Sequence, residues 1–242
     1  MDKIEVKSRY HHAKDAIVAH IRDKCRDGGQ LPSEAQLAQM LGVSRNTVRE
    51  AIRILEREGI VFSRHGVGTF IINSGRNLGS NLTILIRVAD FIREHGYQPG
   101  AVKLTRSRIP ADDRLAARLA VDPGDELIRV EGVRTADGVP AVHVVDYFRH
   151  GEVWDDSLEH FRNETFFACL QEKADIRISH SNCGIRAVIG DAEKNAVLEL
   201  PGPTPLLMLE QEHFSTRGET VMYSDSWFIA DKFNFTVVRR GF

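Results

Sequence analysis

The sequence predicts an α+β protein built as two domains. Three observations carry that reading. Residues 10–72 read as short amphipathic helices followed by one hairpin, whereas residues 82–242 read mainly as hairpins with scattered helices. Residues 73–81, Asn-Ser-Gly-Arg-Asn-Leu-Gly-Ser-Asn, are polar and glycine-rich and read as a linker. The length of 242 residues suits two domains of roughly 100–200 residues each. The expected boundaries are 1–72, 73–81 and 82–242.

Apolar residues recur at helical spacing from Tyr10 through Ala13, Ile17, Ile21 and Cys25, and Gly28-Gly29 ends that helix. Ser33 can cap a second helix, with Gln36 three residues later as in a capping box. Leu37, Met40 and Leu41 form its expected buried stripe. Gly42 ends it, Val43 packs into the turn, and Ser44 can cap a third helix that buries Val48, Ala51, Ile52 and Leu55. The opposite face carries Arg45, Arg49 and Arg53, each four residues on, hence one exposed line of guanidinium groups. Two short helices joined by a tight glycine turn, the second presenting arginines, form a helix-turn-helix. Its second helix can enter the major groove of DNA, where arginine's planar fork suits guanine or phosphate. Three arginines alone would equally suit a solvated face. The hairpin that follows favours DNA: Ile60-Val61-Phe62, a turn at His65-Gly66-Val67-Gly68, and a return over Thr69–Ile72 read as a wing. Gly66 lets the tip backbone approach a phosphate or the minor groove. His65 is a second candidate contact, or an incidental surface histidine.

In the second domain, residues 82–95 read as a helix ending at Gly96, Val102–Ile109 as a strand, and Ala111–Leu119 as a helix with Asp112 and Asp113 near its positive end. Glu126–Thr135 and Val139–Phe148 are expected strands around Ala136-Asp137-Gly138. A helix over Thr165–Lys173, strand over Ile176–Ile189, and helix over Asp191–Glu199 follow. Pro205–Phe214 and Thr220–Trp227 form another hairpin around Arg217-Gly218, and Phe233–Val238 is expected to close the sheet. Hairpins dominate, so the sheet should be mostly antiparallel.

Composition narrows the function. The net charge of −2 divides unevenly: residues 1–76 hold 13 Lys and Arg against 9 Asp and Glu, +4, leaving −6 for the remainder. A basic module on an acidic body suits a nucleic-acid binder joined to a sensor. Met1-Asp2-Lys3-Ile4-Glu5 lacks the apolar core of a secretory signal, and no apolar run approaches the ~20 residues that span a bilayer. No membrane contact is expected. Cys25, Cys169 and Cys183 make no CxxC pair, which fits a reducing cytoplasm. His180 and Cys183 have metal-like spacing but no second pair, so no metal and no cofactor are expected. Glycine-rich phosphate loops and a nucleophile elbow are absent.

Residues 31–71, LPSEAQLAQMLGVSRNTVREAIRILEREGIVFSRHGVGTFI, resemble the DNA-binding domain of the GntR family. The resemblance implies contacts to double-stranded operator DNA from Ser33, Arg45, Thr47, Arg49 and the wing tip at His65 and Gly66. Ala35 stands where the family often has an arginine, which removes one expected contact. The second domain resembles the UTRA effector domain of the family's HutC branch, similar in fold to chorismate lyase. Pro123-Gly124, Arg134-Thr135-Ala136-Asp137-Gly138-Val139-Pro140, Asp146-Tyr147-Phe148, Tyr223-Ser224 and Asp231-Lys232-Phe233 carry that resemblance. It implies a small-molecule effector and a homodimer. Arg134, His143, Asp146, Tyr147, Thr165, Ser224 and Phe228 are the candidate effector residues.

Sugar-phosphate sensors of that branch carry two arginines before the Ala-Asp-Gly turn; here Gly132 replaces one and Arg134 remains. Val144 replaces a glutamate, Arg87-Val88-Ala89 a Ser-Phe-Thr triplet, and Phe228 a tyrosine. These departures argue against a phosphosugar. They leave a smaller or less charged ligand, or an anion held by Arg134 with help from Arg87. On the residues alone, Arg134 could instead pair with a neighbouring strand's carboxylate, and Tyr147 and His143 could be packed core residues. The expected function is a ligand-released repressor in the cytoplasm. The alternatives are an enzyme of lyase-like fold tethered to a DNA-binding module, and an architectural DNA binder without effector.

Overall fold

The computed structural model describes residues 9–24, 29–72, 82–83, 85–151 and 175–237. The chain divides into two compact units, Met1–Ile84 with Phe235–Phe242, and Leu85–Asn234. The linker at 73–81, Cys25 and the helix expected over Thr165–Lys173 lie outside the described residues.

In the first unit, α1 (Arg9–Lys24), α2 (Glu34–Leu41) and α3 (Arg45–Arg57) enclose a core of Ala13, Ile17, Ile21, Leu37, Val48, Ala51 and Leu55. The helix ends are set by local chemistry. The Ser33 hydroxyl accepts from Gln36 N, and the Gln36 side chain accepts from Ser33 N, which satisfies two otherwise orphaned donors at the start of α2. Gly42 closes α2 at φ +64, a left-handed conformation that glycine adopts without penalty. Ser44 then caps α3 by accepting from Thr47 N. The expected stripe on α2 needs one correction: Met40 is 55% exposed. Ala38 takes its place, because Leu37, Ala38 and Leu41 share one side of this two-turn helix and Met40 falls off its edge.

The wing is the antiparallel pair β1 (Val61–Arg64) and β2 (Gly68–Ile71). It has a third partner that periodicity did not reveal. Leu31 N donates to Thr69 O at 2.8 Å and Ile71 N to Gly29 O at 2.8 Å, so the segment before α2 runs along β2 and braces it.

The second unit comprises α4 (Val88–Glu94), β3 (Pro99–Pro110), α5 (Asp113–Leu119), β4 (Glu126–Ala136), β5 (Val139–Arg149), β6 (Ile178–Ile189), α6 (Ala192–Val197), β7 (Pro205–Ser215) and β8 (Thr220–Ile229). Among the described residues, six strands form one antiparallel sheet in the order β3-β4-β5-β8-β7-β6. The fold is therefore α+β. Asp137 (φ +54) and Gly138 (φ +81) form the two-residue turn between β4 and β5, both in the left-handed region such a tight hairpin demands. Helices are shorter than expected where a side chain caps them: Asp112 accepts from Leu115 N at 2.6 Å and Asp191 from Lys194 N at 2.8 Å, so both aspartates precede their helices. The helix expected over 82–95 is confined to α4, with Arg87 at its N-cap.

Residues 233–237 form no strand and do not close the sheet. After β8 the chain turns, with Lys232 N bonded to Ile229 O, and Phe233 is buried against Phe91 and Phe228 at ring distances of 5.4 and 5.8 Å. Burying that ring in an aromatic cluster outweighs continuing the ladder.

Directly paired residues of an antiparallel sheet share a face. One face carries Leu127, Val145, Tyr147 and Tyr223 beneath Leu115, Ala116 and Leu119 of α5, with Val133, Leu206 and Ile229 packed around Leu198 just beyond α6. The other carries Ile128, Val130, Phe148 and Met222, and its Phe228 meets Phe91 of α4.

Candidate functional site

The arginine line of α3 is present as expected. Arg45, Arg49 and Arg53 are all exposed, because the apolar positions between them face the core. Two of the three are engaged. Arg53 pairs with Glu50 at 2.7 Å within the helix. Arg49 donates through Nε to Glu34 Oε1 at 3.1 Å and through Nη2 to Glu34 Oε2 at 2.8 Å, a fork that bridges α3 to the start of α2. That hydrogen-bonded carboxylate raises the Arg49 pKa further above its ordinary value. Glu34 was missed at the level of sequence; the signal was a carboxylate on the first residue of α2, beside the capping serine.

Ser33 and Thr47 have structural duties. Ser33 completes the capping box, and the Thr47 hydroxyl lies 2.8 Å from the Ser44 hydroxyl at the head of α3. His65 and Gly66 lie exposed in the wing turn, Gly66 at φ +75 with open space where a side chain would stand. Gln30 fixes the base of that turn: its amide donates to Val67 O at 2.9 Å and sits where any side chain on Gly68 would collide.

The six candidate effector residues that the structure describes do not form one cluster. Arg134, Val142 and Phe228 share one row across the sheet, and Asp146 and Ser224 lie two rows away on the same face. His143 and Tyr147 occupy the opposite face, through their pairing with Val133 and Trp227, and with Arg129 and Tyr223. Thr165 lies outside the described residues.

On the first of these faces, the Ser224 hydroxyl donates to Asp146 Oδ1. Burial pushes the Asp146 carboxyl up to about 6; the Ser224 bond and the nearby Arg134 charge pull it down, and Asp225 pushes it up. Between the two rows lie Gly132, Val144 and Ser226. The β3 bulge between Val102 and Thr105, with Lys103 at φ +55, sets Leu104 over Gly132, where an added Cβ would lie 3.1 Å from Leu104 Cδ1. An apolar surface therefore stands where an arginine is missing. Arg87, the N-cap residue of α4, bonds Asp90 at 2.6 Å.

On the opposite face, His143 is fully buried, stacks on Trp227 and bonds Glu131 at 2.7 Å. Burial lowers its pKa despite the carboxylate. Tyr147 is buried beside Tyr223, and the Arg114 guanidinium lies over both rings. Tyr223 in turn donates to Asp225 at 2.8 Å, and Arg114 reaches Asp225 at 3.2 Å. His143 and Tyr147 thus both sit in a packed charge network on this face. Among the described residues, no cluster of three or more His, Cys, Asp or Glu is placed to hold a metal ion, and no helix is long and apolar enough to cross a membrane.

A helix-turn-helix with a braced wing, carried on one chain with an α+β unit, defines a ligand-responsive DNA-binding transcriptional regulator. Residues 9–71 match the bacterial regulatory proteins of the gntR family, and residues 94–234 match the UTRA domain. The chain belongs to the UTRA family, joined to a gntR-type DNA-binding domain. It is similar to a probable transcriptional regulator, PhnF, of Escherichia coli K12, 29% identical over 231 residues and covering 95% of each chain. It is also similar to the histidine utilization repressor of Pseudomonas putida, 27% identical over 78% of this chain and 74% of that one. In fold it resembles the possible transcriptional regulator YydK of Bacillus subtilis, with a TM-score of 0.75 at 19% identity over 96% of this chain and 99% of that one.

Proposed function

We propose that the protein is a homodimeric repressor of the HutC branch, released from a palindromic operator when a small molecule binds the sheet face that carries Arg134, Asp146 and Ser224. The observation that carries this reading is that half-buried carboxyl, raised to about 6 and set beside Ser224 and Arg134. A charged group held where burial disfavours its charge marks a binding face. The face carries one cation, one carboxylate, the buried Val144 and Phe228 and the exposed side chain of Leu104, which suits a small polar ligand with an apolar body rather than a phosphosugar. Phe228, packed on Phe91 and Phe233, backs this face, while His143 and Tyr147 belong to the packing on the other side of the sheet. The similarity to a histidine utilization repressor supports the HutC assignment, and the relatives' names favour regulation over catalysis. A cytoplasmic location is consistent with the match to the bacterial regulatory proteins of the gntR family.

Operator contacts fall to Arg45 and Arg49 for bases, with Ser33, Thr47, His65 and Gly66 along the backbone. One helix reads only a few base pairs, so useful affinity calls for two copies on a two-fold site. Sedimentation of the full chain at micromolar concentration should show a dimer. A strict monomer that binds a palindrome no better than its half-site would refute this assembly.

Switching runs through the linker at 73–81, with the ligand favouring one pose of the DNA-binding heads and operator the other. Linkage then gives reciprocal effects of about 1–3 kcal/mol, or roughly 5–150-fold in DNA affinity. The test begins with compounds that raise the melting temperature of the full chain. Those compounds should release bound operator, and Arg134→Ala should bind operator normally yet need at least about tenfold more compound for release. Overlapping titration curves would remove Arg134 from the ligand site.

A further inference from the structure

We propose that Glu34 is a specificity-determining residue that buttresses Arg49 for reading a base edge. The inference rests on Arg49 contacting operator bases. A guanidinium has five N–H donors arranged along two usable edges. Glu34 occupies one edge, taking the Nε and Nη2 donors at 3.1 and 2.8 Å. Among the described residues nothing bonds the other edge, Nη1 with the second Nη2 hydrogen, and it has the spacing that matches O6 and N7 of guanine.

Both ends of the pair are anchored. Glu34 is the first residue of α2, held by the Ser33–Gln36 box, and Arg49 sits between the buried Val48 and Ala51 on α3. The other acid near Arg49, Glu50, is taken by Arg53. Fold stability does not account for the pair: the two side chains are 48% and 35% exposed, and exposed ion pairs contribute little. What it does is fix a long, mobile side chain in one orientation before DNA arrives, removing part of the ordering cost of binding.

Glu34 also supplies a repulsive element. A carboxylate beside the recognition helix disfavours close approach of phosphates on DNA that offers Arg49 no guanine. Specificity gains from both the attractive and the repulsive part.

The test uses the full chain and two duplexes: one enriched from a random-sequence library by the wild-type protein, and a scrambled duplex of the same composition. Affinities are read by fluorescence anisotropy across a salt series, with melting temperatures recorded for every variant. Glu34→Ala should lose about tenfold on the enriched duplex while holding or gaining affinity for the scrambled one. Glu34→Gln, which keeps one acceptor, should fall between. Adding Glu34→Ala to Arg49→Ala should cost nothing further on the enriched duplex. Equal changes on both duplexes would reduce Glu34 to a bulk charge, additive losses would separate it from Arg49, and a fallen melting temperature with unchanged discrimination would make it a structural clip. Each of these overturns the proposal. If Arg49→Ala itself spared both duplexes, the operator reading beneath it would fall first and take the buttress with it.

Discussion

Replacing Arg49 with alanine is expected to weaken binding to the operator roughly 10- to 100-fold, with a smaller loss on unrelated DNA. The expectation follows from where the helix leaves this side chain. Val48, Ala51, Ile52 and Leu55 are buried in the three-helix core, so the face that bears Arg49 points away from it. Removing the guanidinium leaves that core intact, and the melting temperature should hardly move. The salt dependence of binding separates two kinds of contact. A base contact costs discrimination, while a phosphate contact costs affinity on every sequence and lowers the salt slope by about one counterion per subunit. Equal losses on operator and random duplex would therefore assign Arg49 to phosphate, and no loss on either would remove it from the interface.

The first unit was legible because its signals are local. Capping serines, a glycine at the α2 end and apolar residues at helical spacing each act within a few residues, and Ser33, Gly42 and Ser44 do in the fold what their spacing implied. The brace from Gln30 to the wing was not legible, since it joins residues 37 apart through backbone and amide bonds that leave no periodic trace. The strands of the second unit were legible for the same local reason, through alternation and the Asp137-Gly138 turn. Its face assignments were less so. Asp146 and Tyr147 are neighbours in sequence and look like one motif, yet successive strand residues point to opposite sides, so a pair read together had to be split. The bulge at Lys103 likewise decides which residue covers Gly132, and a bulge is set by pairing across strands rather than by either strand alone. Phe233 failed as a strand because its ring packs on Phe91 of α4, far away in sequence, as well as on the nearby Phe228.

Asp146→Asn is expected to stabilise the protein at pH 7.5 and to cripple its response to ligand. The Asp146 carboxyl is raised by burial from its ordinary 3.8 to about 6. Between those values the folded protein binds a proton that the unfolded chain does not, so this group adds stability as pH falls through 6 and costs stability above it. At pH 7.5 the carboxylate is ionised in both states, and the cost of keeping it so in the fold is up to about 3 kcal/mol. Asparagine has nearly the shape of the protonated acid and can still accept from Ser224, so it removes that cost without opening a cavity. The gain should therefore be largest above pH 7, shrink as pH drops below 6, and vanish only once pH falls well below the ordinary 3.8. His213 titrates in the same window with the opposite sign: burial lowers it to about 4, so its contribution is lost as pH falls from its ordinary 6.5. Subtracting wild-type from variant stability, by urea unfolding at each pH, cancels His213 and isolates Asp146. A variant that is less stable at pH 7.5, or whose gain is independent of pH, would show that the carboxylate is satisfied within the fold. If the gain appears, its meaning is functional. A residue that destabilises the unliganded fold at working pH is retained for what it binds, and the stabilised variant should need far more ligand to release operator.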